Sequence, residues 1–219
     1  YNEAENIAEL IPQIQARFSG VPFLLFVVDY ASPDGTADVA RKLNEQYGNI
    51  KVLTPPMRRG LGAALRYAYD RVTTTYILST DSDMSFSVNQ MIELYETIQA
   101  REHDIVLGSR WCPGGSYEAP NFRIRLKKLT SAVGNIVVRI LAGLPVTDVS
   151  ANFRMLRKDA WDRIDAIENT NTMLFEMVFK CHHGGLKVSS IPITFCDRRH
   201  GDSKLNLIAE IPKFLVHMF

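Results

Sequence analysis

At 219 residues, 46% of them hydrophobic and 22% charged, the chain can bury a substantial single core and is too apolar for intrinsic disorder. Its net charge of +1 supplies no global field toward nucleic acid, so any anion site must be built locally. No run approaches the ~20 apolar residues that would span a bilayer, and none has the pattern of a secretory leader.

Tyr1 leads almost at once into an amphipathic helix pattern, with Ile7, Leu10, Ile11, Ile14 and Phe18 recurring at helical spacing. FLLFVVD (23–29) has the branched and aromatic content of a short buried strand. SPDGTADVARKLNEQY reads as a turn feeding a helix with Val39, Ala40 and Leu43 on one face. IKVLT (50–54) predicts a strand, GLGAALRYAYDRV a helix and YILST (76–80) another strand. Residues 88–100 predict a helix burying Met91, Leu94, Tyr95 and Ile98, and DIVLG (104–108) closes the series. This alternation with short links predicts an α/β fold, a mostly parallel sheet flanked by helices on both faces. Past residue 108 the rhythm breaks. SRWCPGGSYEAPNF reads as a long functional loop, and a helix with the basic head RIRLKK runs on through Val133, Ile136, Val137, Ile140 and Leu141. A helix near 172–183, the strands LKVSS and IPITF, the charged loop CDRRHGDSK and an amphipathic helix from about Leu205 follow. Without repeats or linker composition, residues 1–219 read as one domain, and both ends look cut.

The cysteines, Cys112, Cys181 and Cys196, lack C-x-x-C spacing, which argues against zinc and against a disulfide framework. They read as reduced thiols, compatible with a cytosolic setting. The adjacent His182 and His183 read as surface residues at a helix end.

Two strands finish in carboxylates. FLLFVVD ends in Asp29, and YILST runs into Asp81 and Asp83, which project to the same side of an extended backbone. In open parallel sheets ligands bind beyond the carboxyl ends of the strands, so all three acids are expected at one edge. Either a divalent cation relieves their repulsion or they are separately solvated loop acids. SPDGT and RRGLGAA each precede a helix N-terminus, where free N–H groups suit an anion or, at SPDGT, a ribose; for the glycine segment a plain turn fits as well.

The segments YNEAENI, VVDYASPDGT, RRGLGAALRYAYD, DSD, VLGSRWCPGG, DVSANFRM and DRRHGDSKL occur in an order that resembles family 2 glycosyltransferases of the GT-A (Rossmann-like) fold. Within them the chain looks most like the dolichyl-phosphate mannosyltransferase branch, along nearly its whole length. The resemblance implies that Tyr1, Asn2, Glu3 and Asp29 line a nucleotide pocket. Asp81 and Asp83 would hold Mg²⁺ or Mn²⁺ on the donor diphosphate, with Asp81 on the nucleotide side and Asp83 among the catalytic groups. Arg110, Lys127, Ser131, Arg198, Ser203 and Lys204 would contact donor and acceptor phosphates. Arg198 and Lys204 would act as a mobile catalytic clamp. The partners implied are a nucleotide-sugar donor, GDP-mannose before UDP-glucose, a polyisoprenyl phosphate and a cytoplasmic membrane face. A membrane subunit or a transmembrane segment beyond residue 219 fits the same picture. A first strand would normally precede Tyr1. The chain departs from the branch at Tyr30, Ser85, Lys127, Ala132 and Asn152.

A lipid phosphate acceptor has a second pKa of about 6 and is mostly dianionic near neutrality, so such a reaction needs no general base. Glu176 matches an acid position of the family, and a structural ion pair on its helix explains it equally well. A catalytically silent nucleotide-sugar-binding module is the alternative from another class.

Overall fold

The computed structural model describes residues 1–100, 102–118 and 122–196, apart from the side chains of Arg123 and Lys127. Arg198, Ser203, Lys204 and the helix expected from Leu205 lie outside the described residues.

The first half follows the expected order: α1 (Ala4–Arg17), β1 (Leu25–Val28), α2 (Thr36–Tyr47), β2 (Ile50–Leu53), α3 (Leu61–Tyr69), β3 (Tyr76–Ser79), α4 (Val88–Ala100) and β4 (Ile105–Ser109). Then come β5 (Ser116–Tyr117), α5 (Phe122–Leu141), β6 (Arg154–Arg157), α6 (Lys158–Ile164), α7 (Thr172–His183), β7 (Val188–Pro192) and β8 (Thr194–Phe195). Two of these elements leave no periodic signal. Strand β5 is two residues inside the expected loop, held by pairing with distant β8. Helix α6 has seven residues, too few for its apolar spacing to stand out.

β1 pairs with β2 in parallel, and a second sheet has the order β3-β6-β4-β7. β4 and β7 are parallel, whereas β6 is antiparallel to both neighbours. The connection explains the reversal. Asp148, six residues before β6, bonds Arg110, the residue after β4. The chain thus re-enters the sheet at the edge where β4 left it and has to run back.

Alternation along the strands sorts the layers. Leu25 and Val27 pack with Ile7, Ile11 and Ala40 of α1 and α2. Phe26 and Val28 pack against a core containing Leu65, Ala68, Trp161 and Phe175 from α3, α6 and α7. A third cluster joins Leu10 and Phe18 to Met91, Leu94 and Ile98 of α4 and to Phe153.

Helix α5 is two-faced. Ile124, Ser131, Asn135, Val138 and Ala142 turn inward at steps of three, four or seven, as a helical stripe requires. Phe122, Leu126, Leu129, Val133, Ile136, Val137, Ile140 and Leu141 lie exposed. Among the described residues no helix is long and apolar enough to cross a membrane.

Candidate active site

A cavity of about 1040 Å³ is lined at one end by Tyr1, Glu3, Asp29, Asp81, Asp83 and Arg110. The three strand-end carboxylates expected at one edge therefore share one space. Asp29 and Asp83 are buried. Ser32 donates to both Asp29 oxygens, from its backbone N–H at 3.0 Å and from its hydroxyl. The Asn2 N–H donates to the Ser32 hydroxyl at 3.0 Å, the Glu3 N–H to Thr36 Oγ1 at 3.0 Å and the Ala4 N–H to Asp34 Oδ2 at 2.9 Å. The turn SPDGT thus fastens the first residues to the end of β1. This corrects the reading of that turn as an anion cradle: the Thr36 N–H is taken by Asp34 Oδ1 at 3.1 Å. Burial acts to raise the Asp34 pKa, but the bonds from Thr36 and Ala4 outweigh it and leave the group below the ordinary carboxylate value.

The glycine segment is corrected likewise. Gly62 N–H donates to Thr170 O and Ala63 N–H to Asn169 O, each at 3.1 Å. A Cβ at Gly62 would fall 2.6 Å from Glu168 O and 2.7 Å from Thr170 O. The glycines let α3 meet the loop before α7 backbone to backbone. The same loop is held by Arg66, which donates to Glu168 O at 2.9 Å. Glu176 accepts from the Ile167 and Glu168 N–H groups at 3.0 and 2.9 Å and pairs with Lys180 at 2.8 Å. Of the two readings of Glu176, the geometry supports the structural ion pair. Arg58 lies over the Tyr1 ring, 4.3 Å from its centroid.

Asp81 Oδ1 accepts from Asn152 Nδ2 at 3.0 Å, and Ser79 Oγ donates to Asn152 Oδ1 at 2.7 Å. Asp83 Oδ1 accepts from the Ser85 N–H at 3.1 Å. Ala31, two residues past Asp29, and Met84, next after Asp83, both have positive φ, 52° and 60°. Left-handed backbone costs a non-glycine residue ~1–2 kcal/mol, and such strain concentrates where side chains are aimed for function. Among the described residues no group of three or more His, Cys, Asp or Glu forms an all-protein metal site. Two carboxylates are the donor set that Mg²⁺ takes when substrate phosphates and waters supply the remaining oxygens.

Arg110 is gripped from behind. Its Nε and Nη2 donate to the two Asp148 oxygens at 2.7 and 3.0 Å, and Nη2 also reaches Ser150 Oγ at 2.8 Å. Burial pushes the Asp148 carboxyl up, but the Arg110 charge and the bonds it receives win, holding it below the ordinary range. Burial likewise acts to lower Arg110, and Asp148 reverses the direction. Asn135 on α5 ties the helix to this loop, donating to Ser150 Oγ at 3.0 Å and accepting from the Val149 N–H at 2.8 Å. Beneath lies Arg154, fully buried, donating to the carbonyls of Ala151 and Leu174. Its pKa is lowered, chiefly by desolvation. Ser131 lies on the inner face of α5 and lines the cavity; Lys127 is on the same helix. Asn135, Asp148, Ser150, Asn152 and Arg154 carried no expected role. The one hint was Arg154 itself, a cation in the middle of the apolar stretch NFRML.

The model of the family described as "Glycosyl transferase family 2" matches residues 1–165. The chain belongs to that family. It is 33% identical over 214 residues to an undecaprenyl-phosphate mannosyltransferase of Micrococcus luteus, covering 94% of this chain and 84% of the relative. It is 28% identical to a polyprenol monophosphomannose synthase of Mycolicibacterium smegmatis, covering 94% of this chain and 78% of the relative. A dolichol-phosphate mannosyltransferase of Pyrococcus furiosus is 30% identical, with 94% of this chain and 57% of that relative covered. Among solved structures, glucosyl-3-phosphoglycerate synthase from Mycobacterium tuberculosis with Mn²⁺ and UDP-glucose superposes with a TM-score of 0.70 at 16% identity, covering 98% of this chain and 73% of that one. Mannosyl-3-phosphoglycerate synthase from Rubrobacter xylanophilus gives 0.68 at 16% identity, covering 99% and 69%. These likenesses establish the GT-A fold of this family 2 glycosyltransferase.

Proposed function

We propose that this glycosyltransferase moves mannose, with inversion, from GDP-mannose onto a polyisoprenyl phosphate at the cytoplasmic face of a membrane. One observation carries the reading. The cavity that gathers Asp29, Asp81 and Asp83 is also lined by Ile124 and Ser131 of α5, whose outer face exposes eight large apolar side chains. A water-soluble donor and a lipid acceptor need such a meeting place, and an amphipathic helix with exposed Arg125 and Arg139 suits an anionic membrane surface. The names of the mannosyltransferase relatives support the sugar and the acceptor class.

In this reading Tyr1, Asn2, Glu3 and Asp29 hold the nucleoside end. Asp81, oriented by Asn152, and Asp83 hold Mg²⁺ or Mn²⁺, which when bound offsets charge on the departing diphosphate. Arg110, set by Asp148, supplies a fixed cation beside it. Lys127 and Ser131, with Arg198, Ser203 and Lys204, which lie outside the described residues, bind phosphate oxygens. The acceptor phosphate attacks as a dianion, so no residue has to remove a proton.

The test is transfer of labelled sugar from GDP-mannose or UDP-glucose to a short polyprenyl phosphate, with Mg²⁺, Mn²⁺ or a chelator, read in the organic phase. Metal-dependent mannosyl lipid is expected. Lipid-linked glucose alone would move the donor assignment to UDP-glucose. Nucleotide-sugar binding without any transfer would make the chain a silent binding module.

A further inference from the structure

Beneath Asp81 a row of polar groups runs inward from the site. β3 and β6 are antiparallel, with Ser79 opposite Arg154 and Ile77 opposite Leu156. The same register, carried two residues past these strand ends, sets Asp81 opposite Asn152, where the 3.0 Å bond joins them. Residues two apart along a strand share a face. Asp81, Ser79 and Ile77 therefore line up on one face of the sheet, beside Asn152, Arg154 and Leu156. Ile77 and Leu156 pack in the apolar core that also holds Tyr69 of α3.

Among the described residues, two polar atoms at the inner end of this row have no hydrogen-bond partner: the Tyr69 hydroxyl and Nε of Arg154. Tyr69 is 3% exposed and Arg154 0%. Burying such groups is costly. Packing alone does not call for the hydroxyl, because a phenylalanine would make the same edge contact with the Trp161 ring, 5.0 Å away between centroids. Arg154 donates to the carbonyls of Ala151 and Leu174, which a neutral amide could also do in part. Burial raises the Tyr69 pKa, against the Ser79 hydroxyl and the Arg154 charge beside it. The phenol therefore keeps its proton at neutral pH. Hydroxyl dipoles orient in the field around them, and a cation draws the oxygen lone pairs and turns the proton away.

We propose that Arg154, Tyr69 and Ser79 form a row of aligned donors that fixes the amide of Asn152 and so holds Asp81 in one orientation. The guanidinium turns the Tyr69 O–H toward Ser79. The positive end of that dipole faces the Ser79 oxygen, which directs the Ser79 proton to Asn152 Oδ1, at 2.7 Å. The Asn152 NH₂ is then left to donate to Asp81. Turned over, the amide would set its oxygen against a carboxylate. Tyr69, Ser79 and Arg154 are positioning residues, acting on Asp81 only through Asn152. The consequence for a metal rests on the assignment of Asp81 to it; the orientation of Asn152 does not.

Tyr69→Phe is the test, because it deletes one unpartnered hydroxyl and keeps the ring. Side-chain amide NMR of the metal-free, full-length natural protein reads Asn152. Titration with Mn²⁺ in the presence of GDP or UDP, followed by electron paramagnetic resonance, reads Asp81. The native protein should give one sharp Asn152 NH₂ pair. In Tyr69→Phe the pair should double or broaden by exchange, and Mn²⁺ affinity should fall about tenfold, as for other outer partners of a metal ligand, at an unchanged melting temperature. Ser79→Ala should lose at least as much. Arg154→Gln removes the charge but keeps an amide donor, and should disturb the Asn152 pair as Tyr69→Phe does. An Asn152 pair in Tyr69→Phe identical to the native one would overturn the proposal, leaving the hydroxyl a passive part of the core. A native protein that takes up no Mn²⁺ with either diphosphate would sink the metal assignment of Asp81 instead, and the Asn152 signals would still decide the orienting row.

Discussion

Replacing Asp148 with Asn tests the grip on Arg110. In the native protein the Asp148 side chain is 0% exposed and that of Arg110 9%, and the guanidinium meets both carboxylate oxygens in a fork. Asn keeps the shape but turns one acceptor into an NH₂ donor facing a guanidinium donor, and it leaves the cation without its counter-charge. Breaking one side of a buried pair costs about 3–5 kcal/mol. For a protein of this size each kcal/mol moves the melting temperature by ~2–4 °C, so a fall of about 6–20 °C is expected in calorimetry, with transfer strongly reduced. The double variant Arg110→Met/Asp148→Leu removes both charges and should regain much of the stability while staying inactive, since apolar replacement of a buried pair is often neutral. A loss below about 1 kcal/mol in the single variant, or a double variant no more stable than it, would refute the reasoning. The pH dependence has a definite sign. Because the folded Asp148 carboxyl lies below its unfolded value, its contribution is complete above the unfolded range near ~3.9 and fades as pH falls through the lower folded value. Asp148→Asn should therefore flatten the acid limb of the stability curve.

Gly62→Ala places a Cβ under 3 Å from two carbonyl oxygens, so a loss of about 1–3 kcal/mol by denaturant titration is expected; an unchanged midpoint would mean that α3 and the 168–170 backbone are not in contact. Asp83→Asn should lower transfer by orders of magnitude and abolish the Mn²⁺ or Mg²⁺ dependence of nucleotide-sugar binding without abolishing binding, while the metal-free protein melts at about the same temperature because the amide oxygen can still accept from the Ser85 N–H. Near-normal, metal-stimulated activity would remove Asp83 from the metal site. Ile136→Ser/Ile140→Ser alters two exposed positions of α5, 55% and 72% accessible, and should cut flotation with anionic liposomes while leaving the melting temperature unchanged; unaltered flotation would exclude this face as the membrane contact.

Local signals carried much of the fold and the acidic rim of the site. Strand β3 and Asp81 are continuous in sequence, so an apolar burst followed by D-x-D announces both the strand and its exit. The two anion cradles failed for a specific reason: whether a helix N-terminus offers free N–H groups depends on what else reaches them. At Gly62 and Ala63 the acceptors come from Asn169 and Thr170, more than a hundred residues away. The same distance hid the support of the site. Arg110 and Asp148 are 38 residues apart, and Asn152 reaches Asp81 across 71. Neither spacing has a period to detect. Both follow from the reversal of β6, which returns the chain to the edge where β3 and β4 end and so places residues 148–152 behind the carboxylates and Arg110. A parallel strand there would have entered from the opposite end and carried the segment before it away from the site. The antiparallel strand is therefore the feature that turns a row of strand-end acids into an oriented site, with Asn152 directing Asp81 and Asp148 directing Arg110.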